Sequence, residues 1–390
     1  MKNRRTTNML ERFFFISCFI LFCGCKQEKK EAFSSQTTVN RTSIQYANGF
    51  EIQNQSNGIT IIKVLQPWAN AETTYTYALV PKAIQATITL NKNEYDAIIS
   101  TPVEHIVVTS TTHIPALEEL GVLNQLIGFP DTKYISSTAT RKLIDAGKIK
   151  ELGINENINT EAVLALQPDL IFGFAINGGN NTYETIQRAN IPVVYNGDWV
   201  EETPLGKAEW IKFFAPFFNK TQEADAIFND IETSYLEAKK LAAGAKNKPT
   251  VLSGAMYNDV WYLPGGKSWA ANFLKDANAQ YLWNSTDENG SLSLSWESVL
   301  DVGQHAEYWI GPAQFSTYKE MEASSQHYSQ FDAFKKKKVF TTGNTKGKTG
   351  GTLYYELGPQ RPDLVLKDLI HILHPGLLPN YVPYFFKPLL

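Results

Sequence analysis

Two Rossmann-like α/β lobes, joined by a long helical backbone and preceded by a β-rich N-terminal extension, are what this 390-residue chain predicts. Three observations carry the prediction. From residue 104, short apolar runs alternate with helical segments, which argues parallel sheets with helices on both faces. Residues 205–243 interrupt that alternation with the longest helical signal in the chain. Beyond Lys248-Pro249 the alternation starts again.

At the N-terminus, Lys2, Arg4 and Arg5 precede an apolar run, FFFISCFILF, over residues 13–22. The run falls short of the about 20 residues that a spanning helix needs, and it has the make-up of a signal-peptide core. Cys23-Gly24-Cys25 and the polar KQEKKE follow at once. An apolar run ending in a small residue and a cysteine resembles the lipobox of bacterial lipoproteins. That resemblance implies a signal peptide over 1–24, a lipid on Cys25 that anchors the chain to a membrane, and a polar tether over 25–47.

Residues 48–98 carry β-branched and aromatic runs (GFEIQN, GITIIKVL, TYTYALV) broken by Asn, Gly and Pro. They predict a strand or two and a hairpin packed on the first lobe. In that lobe, 99–204, strands are expected at Ile106–Ser110, Leu126–Phe129, Asp169–Phe174 and Pro192–Asn196. Helices are expected at Thr112–Leu120, with Gly121 as its terminator, at Thr160–Leu166 and at Tyr183–Ala189. Over 205–247, Trp210, Phe213, Phe214, Phe217, Phe218, Ile227, Phe228 and Ile231 recur at helical spacing, and Pro216 must divide the segment in two. The second lobe, 248–390, opens with a strand at Thr250–Ser253. It continues with strands at Ala306–Ile310 and Val339–Thr341 and a helix at Pro362–Leu373.

Composition removes several classes of function. All three cysteines, Cys18, Cys23 and Cys25, lie in the leader, so the domain downstream has no internal disulfide, cysteine nucleophile or thiolate metal site. A net charge of −3 provides no basic field for nucleic acid. Six scattered histidines do not suit capture of a bare transition-metal ion, so a metal should arrive already chelated, and no resident metal or cofactor is expected. There is no Walker A loop, no G-x-S-x-G elbow and no H-E-x-x-H helix, which argues against an enzyme.

The two lobes echo each other locally. Asn159-Thr160-Glu161-Ala162-Val163-Leu164 leads into DLIFGF, and Ser295-Trp296-Glu297-Ser298-Val299-Leu300 leads into a strand containing EYWIG. Each is an N-cap, a helix with Glu in its first turn, and a strand. A single Glu there needs no more explanation than the helix dipole. A matched pair, one per lobe, also suits docking on basic pockets of a two-fold partner.

These residues, with HIVVTSTTHIPALEELGVLNQLIGF at 105–129, GINENINTEAVLALQPDLIFG at 153–173, SWESVLDV at 295–302 and LGPQRPDLVLKDLIHILHP at 357–375, carry a family resemblance. The chain resembles the periplasmic binding proteins for ferric siderophores, haem and cobalamin, the helical-backbone receptors of ABC transporters, over about residues 100–377. The resemblance implies a binding protein that hands a small metal complex to a permease dimer, with Glu161 and Glu297 engaging permease arginines. It leaves 48–98 without a task. It does not choose between a ferric siderophore, a corrinoid and haem. A surface capture lipoprotein with no permease partner is the other reading.

Ligands of open α/β folds bind at the carboxyl ends of strands, so the cleft between the lobes is the expected site. Thr111, Thr112 and His113 follow the first strand of lobe one, and Trp199 follows its last. In lobe two, Tyr257, Trp261, Tyr262 and Trp269 flank Pro264-Gly265-Gly266 as a candidate stacking wall, although a hairpin would turn some of them inward. Tyr355 and Arg361 lie in the loop region 342–361. Arg361 suits clamping of an anionic ligand or, equally, an ion pair with Glu356.

Overall fold

The computed structural model describes residues 39–390 apart from 156 and 179. The expected signal peptide, the lipidation site Cys25 and the first part of the tether lie outside the described residues. Among the described residues, no helix is long and apolar enough to cross a membrane.

The chain enters through a five-stranded sheet of β1 (Val39–Arg41), β2 (Phe50–Gln55), β3 (Thr60–Val64), β4 (Tyr75–Pro81) and β5 (Ala97–Thr101), in that spatial order. The first three joints are antiparallel and β4–β5 is parallel. Two expectations need correcting. The tether does not reach residue 47, because β1 already pairs with β2. The segment after it is a whole sheet rather than a strand or two and a hairpin. The strand period of two sorts its faces. Phe50, Ile52, Ile62, Val64, Tyr77, Leu79 and Ile99 join one core with lobe one, while Ile59, Ile61, Ala78 and Val80 are covered by Ile84, Ile88, Leu90 and Tyr95.

Lobe one follows with β6 (Ile106–Val108), α1 (His113–Glu119), β7 (Leu126–Phe129), α2 (Thr138–Asp145), β8 (Lys150–Glu151), the short pair β9 (Gly153–Ile154) and β10 (Asn157–Ile158), α3 (Thr160–Leu166), β11 (Leu170–Gly173), α4 (Asn181–Arg188) and β12 (Val193–Tyr195). Its parallel sheet runs β12-β11-β6-β7-β8. All three residues of β6 and all four of β11 are buried, as expected of strands covered on both faces.

The connecting helices are α5 (Pro204–Glu209), α6 (Ile211–Phe214) and the 23-residue α7 (Thr221–Ala243). Between α6 and α7, Pro216 sits in a tight helical turn that ends at Asn219 in the left-handed region. The part before Pro216 is therefore two short helices and a turn, not one helix. Its aromatics serve lobe one: the Phe172 ring meets Phe214 and Phe217, each at 4.9 Å between centroids. Helix α7 is fixed to lobe two by hydrogen bonds from Ser234 to Asp363 (2.9 Å) and from Tyr235 to Asp276 (2.7 Å).

Lobe two contains β13 (Thr250–Ser253), the hairpin β14 (Ala255–Tyr257) and β15 (Val260–Pro264), α8 (Trp269–Asp276), β16 (Gln280–Tyr281), β17 (Ser291–Ser295), α9 (Trp296–Gly303), β18 (Tyr308–Ile310), α10 (Tyr318–Ser324), α11 (Asp332–Lys335), β19 (Val339–Thr341), α12 (Leu353–Leu357), α13 (Pro362–Leu373) and β20 (Lys387–Pro388). Its main sheet runs β16-β13-β18-β19-β20, parallel except for β20. β14, β15 and β17 form a separate antiparallel sheet.

Candidate functional site

Each lobe turns loops from the carboxyl ends of its parallel strands toward the other lobe. A cavity of about 380 Å³ lies between them. Lobe one lines it with Thr109, Ser110 and Thr111 after β6, Phe129 to Asp131 at the end of β7, Tyr134, Asn155, and Phe174 after β11. Lobe two contributes Gln314 and the 350–355 loop, including Thr352 and Tyr355. A second chamber of about 220 Å³ adjoins it inside lobe two, with Trp269, Phe273, Tyr354 and Ile310 among its walls. Tyr355 lines both chambers.

The cleft walls are held from behind. The Thr109 hydroxyl accepts from the backbone N–H of Phe174 at 2.8 Å and pairs with the Tyr183 hydroxyl at 3.0 Å. Tyr183 also donates to the Phe174 carbonyl. Tyr183 packs on Tyr195, and Tyr195 packs on Tyr75 and Trp68 of the N-terminal sheet and its β3–β4 loop. Tyr195 takes a further hydrogen bond through its backbone N–H, donated to the Tyr77 hydroxyl at 3.0 Å. The extension therefore shares a wall with the cleft. Gly197 is required there: a Cβ would stand 2.0 Å from the Gln66 carbonyl oxygen.

The larger cavity, about 610 Å³, lies between α1, α2 and α12 on the far side of an interlobe clasp. Several of its charged groups are already engaged. The Glu356 carboxylate, from lobe two, accepts the backbone N–H groups of Ser136 and Ser137 in lobe one, the latter at 2.8 Å. Lys348 pairs with Asp145 at 3.0 Å, and Arg141 donates to the Thr132 carbonyl at 2.7 Å. Gly347 and Gly351 let the two backbones touch, since a Cβ on either would stand within 2.5 Å of Ser136 or Tyr134.

Burial pushes the Glu356 carboxyl up to about 7 against the two amide hydrogen bonds that oppose it. A carboxyl whose pKa is raised on folding adds stability that is complete below its ordinary value near 4.5 and is lost as pH rises through 7. Thermal melts at pH 4.5 and pH 8 are expected to show a larger fall for the native chain than for Glu356→Gln. Equal falls for the two would show that Glu356 is not the titrating group.

The sequence-derived ligand candidates divide. Thr111, Trp269 and Tyr355 line the chambers. Thr112 sits at the start of α1, with its hydroxyl paired to Ser110 at 2.9 Å. Trp199 stands one layer back, its ring 5.8 Å from that of Phe174. Five others need correction. Trp261 is fully buried, because residues alternate along β15 and its parity faces the core, where it stacks on Trp309 at 5.3 Å. Tyr262 has the opposite parity and is 43% exposed; Tyr257, 70% exposed, abuts the hairpin turn; neither lines a chamber. His113 is wholly buried against Phe214, near Asn196 and Asp198, and burial holds its pKa below the ordinary imidazole range, so it is neutral and enclosed. Arg361 is held in a fork by Asp363, at 2.9 and 3.0 Å, rather than facing the cleft or pairing with Glu356.

Sequence reading missed Tyr134, Asn155, Phe129 and Phe174. Phe129 closes β7, Asn155 follows β9 and Phe174 follows β11, so the strand-end rule applied to every strand points to these three, whereas Tyr134 lies further along the β7–α2 connection. Among the described residues, no group of three or more His, Cys, Asp or Glu side chains is placed to hold a metal ion.

Glu161 and Glu297 are both exposed in the first turn of their helices, α3 and α9. The caps are built alike: Asn159 accepts from Ala162 N–H at 2.9 Å and Ser295 from Ser298 N–H at 3.2 Å. In each lobe the helix leads into a parallel strand, so its N-terminus lies at the carboxyl edge of the sheet. Each lobe thus carries one acidic group on the edge that supplies the cleft loops.

Two α/β lobes facing each other across a cleft of strand-end loops, and bridged by helices, define a two-lobed ligand receptor. The chain belongs to the periplasmic binding protein family, whose sequence model matches residues 106–345. It is 28% identical to an uncharacterized lipoprotein of Methanocaldococcus jannaschii over 302 residues, covering 74% of this chain and 69% of the relative. Its fold matches a possible iron-binding periplasmic solute-binding protein of Staphylococcus epidermidis, with TM-score 0.55 and 18% identity, over 70% of this chain and 100% of that one. A periplasmic haem-binding protein of Pseudomonas aeruginosa also matches, with TM-score 0.55 and 16% identity, over 73% of this chain and 97% of that one. The five-stranded N-terminal sheet precedes the family match.

Proposed function

We propose that this protein is the substrate-binding component of an ABC importer, which captures a chelated metal complex and delivers it to a permease dimer without chemical change. The observation that carries the reading is the pair of exposed glutamates on equivalent helices, one per lobe, beside a preformed cleft. A ferric siderophore is the first ligand class to test, with corrinoids and haem as the alternatives on the same fold. Support for iron or haem comes from the names of the two solved relatives, and support for a lipid on Cys25 from the relative called a lipoprotein. The connecting helices and the Glu356 clasp favour small motions of the lobes over a wide hinge.

Titration of the purified chain with ferric siderophores, cobalamin and haem, followed by absorbance and tryptophan fluorescence, tests the reading. Saturable binding of one class at micromolar Kd or tighter supports it, and no binding of any class defeats it. Tyr355 is the residue common to both chambers, so Tyr355→Ala is expected to weaken binding of the active class about 10-fold, the loss of one aromatic contact wall. Tyr257→Ala, outside both chambers, is expected to leave Kd unchanged in the same titration.

A further inference from the structure

The charges around the cleft are sorted. The 380 Å³ chamber presents neutral hydrogen-bonding groups: Ser110, Thr111, Asn155, Gln314 and Thr352. Among the described residues lining the two chambers there is no Lys, Arg or His, and the one carboxylate is Asp131.

Cations stand nearby but outside the linings of both chambers. Lys133 pairs with Asp131 at 3.1 Å. Arg141, Lys142, Lys346 and Lys348 all line the other cavity, across the clasp. Lys207 is half-buried and donates to the carbonyls of Asp198 (3.0 Å) and Trp199 (2.7 Å). Arg361 is forked to Asp363.

Given the receptor role proposed for the chain, on which the assignment rests, we infer that the cleft is built for a metal complex of zero or positive net charge and selects against polyanionic chelates. A charged ligand leaves water on entering a cleft, and its desolvation is offset only by opposite charges or by hydrogen bonds aimed at it. Hydroxyls and amides satisfy a neutral chelate whose carbonyl and amide groups face outward. They do not compensate several unpaired negative charges, and the one carboxylate there, Asp131, forms a pair of no net charge with Lys133. The distinction is chemical. Three singly charged hydroxamate groups cancel the charge of a ferric ion, whereas three doubly charged catecholate groups leave three negative charges over. A corrinoid with an amide-decorated rim falls on the accepted side, and haem, with its two propionates, on the disfavoured side.

Isothermal titration of the chain with a ferric tris-hydroxamate, a ferric tris-catecholate, cyanocobalamin and haemin, at low and at moderate salt, tests the inference. The expected result is that a hydroxamate or cobalamin binds at least about 100-fold tighter than the catecholate. Gln314→Lys places a cation on the lobe-two wall and is expected to tighten catecholate binding about 10-fold at low salt, a gain that shrinks at moderate salt. Tightest binding of the catecholate or of haemin by the native chain would overturn the charge inference and leave the receptor reading standing. Failure of every probe to bind would overturn both.

Discussion

Glu161→Arg combined with Glu297→Arg is expected to reduce import of the bound complex to the level of cells lacking the protein, while the Kd for that complex changes about twofold or less. Both carboxylates are exposed and neither lines a ligand chamber, so reversing them leaves the cleft walls intact. A basic pocket facing a carboxylate would then face a guanidinium, and juxtaposed like charges at an interface cost several kcal/mol. Each single reversal is expected to lower uptake about 10-fold or more, since one lobe would still dock. The folding cost is small, because a first-turn Glu contributes about 0.3–1 kcal/mol through the helix dipole. Glu184→Arg supplies the control: Glu184 is also a first-turn acid, on α4, and pairs with Arg188 at 3.1 Å. It removes the same kind of dipole interaction without touching the matched pair. Uptake that survives the double reversal would mean that the protein captures its ligand without docking through these residues.

What could be read beforehand was local in the chain. The cap, first-turn Glu and following strand occupy a few consecutive residues, so α3 and α9 and their acidic groups were legible from spacing. Cleft loops followed from strand order, since a parallel strand delivers its next loop to one edge of the sheet. Illegible features depended on partners far away in sequence. The parity of β15 decides whether Trp261 or Tyr262 faces inward, and that is set by Trp309, Tyr328 and Phe331 in later elements. Arg361 had two acids within a few residues, Glu356 and Asp363, and Glu356 is taken by amides 219 and 220 positions away. The N-terminal sheet was under-read because β4 pairs in parallel with β5, which no hairpin signal announces. Its attachment to lobe one is equally non-local, and it rests on acids that look in sequence like ordinary helix-surface residues.

Glu209 is the clearest of these, and Glu209→Ala is expected to cost about 3–5 kcal/mol of stability, the range for removing one partner from a buried charge pair. The Glu209 side chain is wholly buried, and its carboxylate accepts the backbone N–H groups of Gln45 (3.0 Å), Tyr46 (2.7 Å) and Ala47 (3.0 Å) together with Lys212 Nζ at 3.0 Å. Alanine would strand three amides and leave the buried ammonium of Lys212 with Asp225, 3.8 Å away and half-exposed, as its remaining carboxylate. Next to it, Glu201 repeats the device, accepting from the N–H groups of Asn48 (2.9 Å) and Gly49 (2.8 Å) and from the Trp210 indole (3.1 Å). Together the two acids hold residues 45–49 against α5 and α6, so the sheet that begins at β1 is fastened at the point where it enters the core. Glu209→Gln keeps one acceptor oxygen and is expected to cost less, about 1–3 kcal/mol. Urea unfolding measures both changes, and because the sheet and lobe one share a core, the whole transition should shift rather than split. Hydrogen exchange should then rise first in β2 and β3. A Glu209→Ala chain within about 1 kcal/mol of the native stability would mean that the shared apolar core alone carries the attachment.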